Sequence, residues 1–192
     1  MGEVIMKVEN KTVKYDELVV LENFNHAFEV NKITSIFGPS GCGKTSLLNA
    51  ICDEKDSDVS YVFQDDKLLP WLNVEDNIRL VCDEDGIIDK TLAIVKMSDY
   101  KSFYPRQLSG GMKRRIALIR GFVHKSDVLL MDEPFKGLDE KLKYEILEAF
   151  KELYLEVPRT VIIVTHDEKV AKAVSHNILY VRGLPLEVIH EV

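Results

Sequence analysis

No stretch of this chain approaches the roughly 20 consecutive apolar residues that a membrane-spanning helix needs, so nothing in it reads as a transmembrane segment. The first residues, Met1 to Lys7, lack the apolar centre of a secretion signal. Positive charge is in short supply: Lys and Arg total 25 against 32 Asp and Glu, a net charge of −7. That balance works against a role built on sequence-independent attraction to DNA or RNA, and no nucleic-acid partner is expected. Cysteine is scarce, at three without zinc-ligand spacing, which excludes a disulfide framework and fits a reducing cytosol. Glutamine is scarcer still, with only Gln64 and Gln107 in a chain rich in Lys and Glu, a bias associated with growth at high temperature. Internal repeats, low-complexity segments and Pro/Ser-rich linkers are absent too. The 192 residues, 46% of them hydrophobic, are therefore expected to form a single domain with one substantial core.

What is present is an alternation of apolar runs and helical periods. Residues 1–30 alternate apolar and polar (Val4, Met6, Val8; Val13, Tyr15; Leu18 to Leu21; Phe24, Phe28), which predicts several short strands. Ile33–Phe37 and Ser60–Phe63 read as further strands. Val128–Met131 and Val161–Val164 are wholly apolar, as parallel strands buried on both faces are. Helical spacing predicts helices near 45–51, 74–81, 88–96, 110–121 and 140–155, with the more charged segment of about 73–110 forming a small helical lobe. Asp53 to Asp58 reads as a polar turn. Strands alternating with helices predict an α/β sandwich around a mainly parallel sheet, with antiparallel strands at the N-terminus.

Between the strand Ile33–Phe37 and the following helix lies Gly38-Pro39-Ser40-Gly41-Cys42-Gly43-Lys44-Thr45, which fits G-x-x-x-x-G-K-[ST] without mismatch. Glycines allow backbone N–H groups to converge on phosphates with no Cβ in the way, and the helix N-terminus adds partial positive charge. Lys44 can reach the β- and γ-phosphates and the Thr45 hydroxyl can hold Mg²⁺. Residues Gly38 through Ser46 are accordingly taken as the nucleotide-binding loop. The Cys42 side chain is expected to point away while its backbone binds.

A phosphate loop needs a second acid for its metal. Asp132 closes the apolar strand Val128–Met131, the carboxyl end where such an acid sits in a parallel sheet. Glu133 follows at once, and two adjacent acids are costly to assemble without a compensating cation or function. Asp132 is read as the Mg²⁺ ligand and Glu133 as the base that polarises the attacking water. Ser109 and the amides of Gly110 and Gly111 open a helix and form a second anion site. Lys113, Arg114 and Arg115 follow inside that helix and read as a solvated face. His26, His124, His176 and His190 show no metal spacing and are expected on surfaces or in loops.

These motifs in this order resemble the ATP-binding cassette (ABC) ATPases, from about residue 4 to about residue 182. Leu108-Ser109-Gly110-Gly111-Met112 is similar to the family's signature, and Gly137-Leu138-Asp139 to its D-loop. The resemblance implies further roles. Tyr15 would stack on adenine, Gln64 would be the Q-loop glutamine touching the metal site and the permease contact, and His166 would be the switch histidine. Ser109, Gly110, Gly111 and Asp139 would act on ATP bound to the other subunit of a head-to-tail dimer. Glu133, Lys44 and His166 would carry the chemistry, with ATP and Mg²⁺ as cofactors. Only 17 residues separate Ser46 from Gln64, which predicts a trimmed antiparallel subdomain.

The segment Phe63 to Val74 and the stretch Glu133 to Asp139 resemble the importer ATPases of the nitrate, taurine, alkanesulfonate and thiamine-precursor group. That implies membrane permease subunits as partners, a substrate-binding protein indirectly, and a place on the inner face of the cell membrane. Leu68, Leu69 and Trp71 would supply the permease socket, or Leu69 and Trp71 would simply pack the lobe into the core; the residues leave both readings open. A soluble ABC-type ATPase acting on a macromolecular complex is the alternative from another class. A non-hydrolysing ATP sensor is a third reading, opposed by Asp132, Glu133 and His166.

Overall fold

The computed structural model describes residues 6–53 and 58–192. Val4 and the centre of the Asp53–Asp58 turn lie outside them. The chain opens with two long strands, β1 (Met6–Tyr15) and β2 (Leu18–Phe28), paired antiparallel as a sheet of their own. Several short strands were expected here. The pairing instead runs through three register shifts, and Asn10 and Asn23 adopt left-handed φ values of 49° and 46°. Each irregularity breaks the period-two alternation that would mark a long strand.

The second sheet has six strands in the order β4-β5-β6-β3-β7-β8. Its members are β3 (Ile33–Phe37), β4 (Val59–Val62), β5 (Val128–Asp132), β6 (Thr160–Thr165), β7 (Asn177–Arg182) and β8 (Glu187–Glu191). All neighbours pair in parallel except β7 and β8. Helices α1 (Lys44–Cys52), α2 (Val74–Arg79), α3 (Asp85–Ile94), α4 (Gly110–Val123), α5 (Glu140–Glu156) and α6 (Glu168–Val174) connect the strands. The fold is α/β, with a mainly parallel central sheet and N-terminal antiparallel strands.

The apolar runs explain the layering. Along β5, Leu129 and Met131 face one core with α4 and α5, while Val128 and Leu130 face the other with α1 and the β1–β2 sheet. Ile162 and Val164 on β6 join the second core, and Val161 and Ile163 the first. Both faces of the sheet are covered, so its central strands need no polar face. Phe122 and Phe150 pack edge-to-face at 5.5 Å to lock α4 on α5, and both are fully buried. Truncating Phe150 to Ala would cost about 3–5 kcal/mol.

This topology sets the carboxyl ends of β4, β5, β6 and β3 side by side. Paired residues fix their level: Asp132 lies beside Val164, and Phe37 beside Thr165. Gln64, Glu133, His166 and the loop from Gly38 all leave the sheet at that edge. Parallel α/β sheets bind ligands there, where every strand releases a loop in the same direction.

Candidate nucleotide site

The loop after β3 turns through Gly41 and Gly43, at φ 81° and 96°. A side chain on Gly43 would also put its Cβ 2.7 Å from Val20 Cγ1. Gly38 is constrained by space: a Cβ there would sit 2.4 Å from the Val181 carbonyl oxygen on β7. Lys44 heads α1 and is buried, with Nζ donating to the carbonyls of Gly38 (2.8 Å) and Pro39 (2.7 Å). Its ammonium is thus folded back over its own loop, beside the cleft. The Cys42 side chain turns away from the cleft into the β1–β2 core, 5% exposed.

Thr45 Oγ1 donates to Asp132 Oδ2 at 3.0 Å. Burial, reinforced by the neighbouring Glu133, pushes the Asp132 carboxyl above the ordinary aspartate value, although Thr45 and Lys44 pull it down. An acid crowded in this way is suited to a hard cation. The Thr45 hydroxyl and the Asp132 carboxylate are hard oxygen ligands of the kind that would hold Mg²⁺.

Glu133 has φ +48° and is 9% exposed. A non-glycine residue in that region carries strain of about 1 kcal/mol or more. Its amide donates to the Val164 carbonyl at 3.0 Å, which fastens the strained turn to β6. The carboxylate then meets His166, with Nδ1 and Oε1 2.7 Å apart. His166 is the better exposed of the two.

Tyr15 ends β1 at the cleft rim, 54% exposed, and its hydroxyl lies 3.4 Å from Ser46 Oγ. Tyr15, Ser40, Gly41, Gly43, Lys44, Thr45, Ser46, Gln64, Asp132 and Glu133 all line one cleft of about 330 Å³. Lys136, Leu18 and Leu184 line it as well, and sequence reading passed over all three. Gly38 and Pro39 serve it through the carbonyls that hold Lys44.

Ser109, Gly110, Gly111 and Asp139 lie outside this cleft. Ser109 caps α4, its hydroxyl accepting from Met112 N at 3.3 Å. Ser109 and Gly111 line a separate hollow of about 160 Å³ with Met97, Tyr100 and Arg115. Asp139 caps α5, accepting from Leu142 N at 2.9 Å.

Several surface expectations change. Lys113–Arg115 is no solvated face: Arg114 is buried, and Arg115 donates to the Val95 carbonyl (3.0 Å) and to Glu145 (2.5 Å). His26 is half-buried within β2, its ring edge-on to Phe28 at 4.6 Å. Trp71 does not pack into the core; it is 69% exposed. Buried Asn77 holds the loop around it, accepting from Leu69 N (2.8 Å) with its amide nitrogen 2.9–3.1 Å from the carbonyls of Leu69, Leu72 and Asn73. Leu68 instead packs against the core. The groove beside Gln64 is formed by other residues, Tyr61, Phe63, Lys67, Val81, Arg120 and His124 among them, and holds about 300 Å³.

A Gly-rich loop at a helix N-terminus, a Thr–Asp pair and a buried Glu133 held by His166 define a phosphate-binding nucleotide site. A family model described as ABC transporter matches residues 21–58 and 53–136. The chain is 36% identical to the Fe(3+) ions import ATP-binding protein FbpC of Fusobacterium nucleatum, over 90% of this chain and 54% of the relative. It therefore spans about half the length of that relative. It is 33% identical to the aliphatic sulfonates import ATP-binding protein SsuB 2 of Pseudomonas syringae pv. tomato, over 90% of this chain and 80% of the relative. Among solved structures, the dimeric ATP-binding cassette MJ0796 in a post-hydrolysis state with ADP and Pi superposes with a TM-score of 0.77 at 27% identity, covering 97% of both chains. CbiO1 of Clostridium perfringens shares the fold, with a TM-score of 0.81 at 23% identity over 99% of this chain and 88% of the other. The chain belongs to the ABC transporter family, as one of its ATP-binding, ATP-hydrolysing cassettes.

Proposed function

We propose that this chain is the ATPase subunit of an ABC importer for a small solute, forming one ABC ATPase domain over residues 1–192 with its helical lobe at about 73–110. It works as a dimer against membrane permease subunits on the inner face of the membrane. The observation that carries this reading is a division within one chain. The phosphate loop, Asp132 and Glu133 share a cleft, whereas Ser109 and Gly111 line a separate hollow. An anion-binding helix start held away from the cleft is useful if it meets the cleft of a second copy, and a two-fold pair satisfies both sites at once.

Each group then has a task. Loop amides from Gly41 to Thr45 and the Lys44 ammonium hold the phosphates, while Tyr15 offers its ring to the base. Thr45, Asp132 and Gln64 would hold Mg²⁺, which when bound neutralises phosphate charge. Glu133 accepts a proton from the attacking water, and its fixed backbone limits where that water can sit. His166 orients the Glu133 carboxylate through Nδ1. As an imidazolium it can also donate from Nε2 to a phosphate oxygen, whereas the neutral ring that donates from Nδ1 presents an acceptor there.

Import and permease coupling are supported by the import ATP-binding proteins the chain matches and by the exposed Trp71 in the segment that follows Gln64. The test is to tag Glu133→Gln, capture it from detergent-solubilised source membranes, and identify its companions by mass spectrometry. A permease among them is expected. Only ribosomal or DNA-repair proteins would overturn the transport reading and leave the ATPase site standing.

A further inference from the structure

The guanidinium of Arg114 is buried five residues into α4, with its side chain 8% exposed. A guanidinium carries five N–H donors, and the two hydrogen bonds Arg114 makes here both fall on one short segment. Nη1 donates to the Phe63 carbonyl at 3.1 Å, and Nη2 donates to the Gln64 carbonyl. Nε lies 3.3 Å from Asp66 Oδ1, an ion pair by distance though not aligned as a hydrogen bond. Burial raises the Asp66 carboxyl, and the Arg114 charge is the foremost influence that pulls it back down. The two carbonyls belong to the peptide groups on either side of the Gln64 Cα. Fixing both peptide planes fixes the direction in which the Gln64 side chain leaves the backbone.

We propose that Arg114 is a positioning residue for ATP hydrolysis: its fork aims Gln64 into the nucleotide cleft and ties that aim to the head of α4, where Ser109 caps the helix. The proposal rests on the assignment of Gln64 to the nucleotide site. Its chemistry is specific to the planar fork. A lysine keeps the charge near Asp66, but a single nitrogen does not reproduce two parallel donations to successive carbonyls. The tie also has a mechanical consequence. A shift of the permease-facing loop after Gln64 moves the start of α4, because a buried, charge-assisted link joins them.

The test is a double-mutant cycle on ATP hydrolysis by the full chain, at fixed protein concentration, with melting curves for every variant. Gln64→Ala removes the side chain being aimed and leaves its backbone carbonyl in place. Arg114→Lys disturbs the aim, and Arg114→Gln serves if the lysine variant does not fold. Arg114→Lys is expected to lower kcat about tenfold with KM for ATP within about twofold, and the double variant to match Gln64→Ala within about twofold. A double variant slower than Gln64→Ala by the full Arg114→Lys factor would overturn the proposal, since Arg114 would then act independently of Gln64. So would an Arg114→Lys variant with unchanged kcat. Wild-type turnover in Gln64→Ala would instead remove Gln64 from the site and the proposal with it.

Discussion

His166 Nδ1 stands 2.7 Å from Glu133 Oε1, and the glutamate that it holds has a backbone φ of +48°. The two side chains thus form one unit whose geometry β5 and β6 fix together. Groups acting as a unit give non-additive losses. Glu133→Gln and His166→Ala are each expected to lower ATP turnover by about 10²–10⁴. The double variant should be no slower than the worse single one. Losses that multiply, measured by steady-state phosphate release, would show that the pair does not act as a unit.

Tyr15 should contribute through its ring. Its hydroxyl makes one long contact to Ser46 at 3.4 Å on an exposed rim. Tyr15→Phe is expected to bind ATP as the wild type does. Tyr15→Ala should lose about 1–3 kcal/mol, the usual worth of base stacking on an aromatic ring. Calorimetry with inorganic triphosphate separates the base from the phosphates: the Ala variant should bind it normally. Equal losses for ATP and triphosphate would argue against adenine stacking.

Trp71 is the chain's single tryptophan and is 69% exposed. Its fluorescence in the isolated chain should have the red-shifted maximum of a solvated indole and be readily quenched by acrylamide. Assembly with permease should shift the emission to the blue and protect it. Unchanged emission in a purified complex would place the contact elsewhere.

Asp167 supplies a pH test. It caps α6 through the amides of Lys169 and Val170 and pairs with Lys143 at 2.9 Å. Burial alone would raise its carboxyl, but the Lys143 hydrogen bond and those two amides outweigh it, and the net direction is below the ordinary 3.8. The folded state therefore binds the proton less readily than the unfolded chain. The stabilisation is complete above that ordinary value and fades as pH falls through the folded-state value. Asp167→Asn should lose more stability, by thermal or urea unfolding, at pH 7 than at about pH 3. A gap independent of pH would contradict this.

What could be read from the residues was what is encoded locally. The phosphate loop is contiguous, and the β5 and β6 runs are apolar at every position because both faces are covered. Tertiary facts escaped. Arg114 finds its partners about fifty residues away at Phe63 and Gln64, so its charge run looked solvated. The β1–β2 hairpin hid behind its register shifts, and β8, exposed at every residue, offers no apolar alternation to read. Helix α6 has only seven residues, too few to establish a helical period.

The central claim is that one chain holds half of each composite ATP site. Glu133→Gln, which should bind ATP and retain it, allows a direct measurement by multi-angle light scattering with and without Mg–ATP. The account predicts a monomer whose mass doubles when ATP is added and returns when it is removed. A chain that binds ATP by calorimetry yet keeps the monomer mass would contradict it.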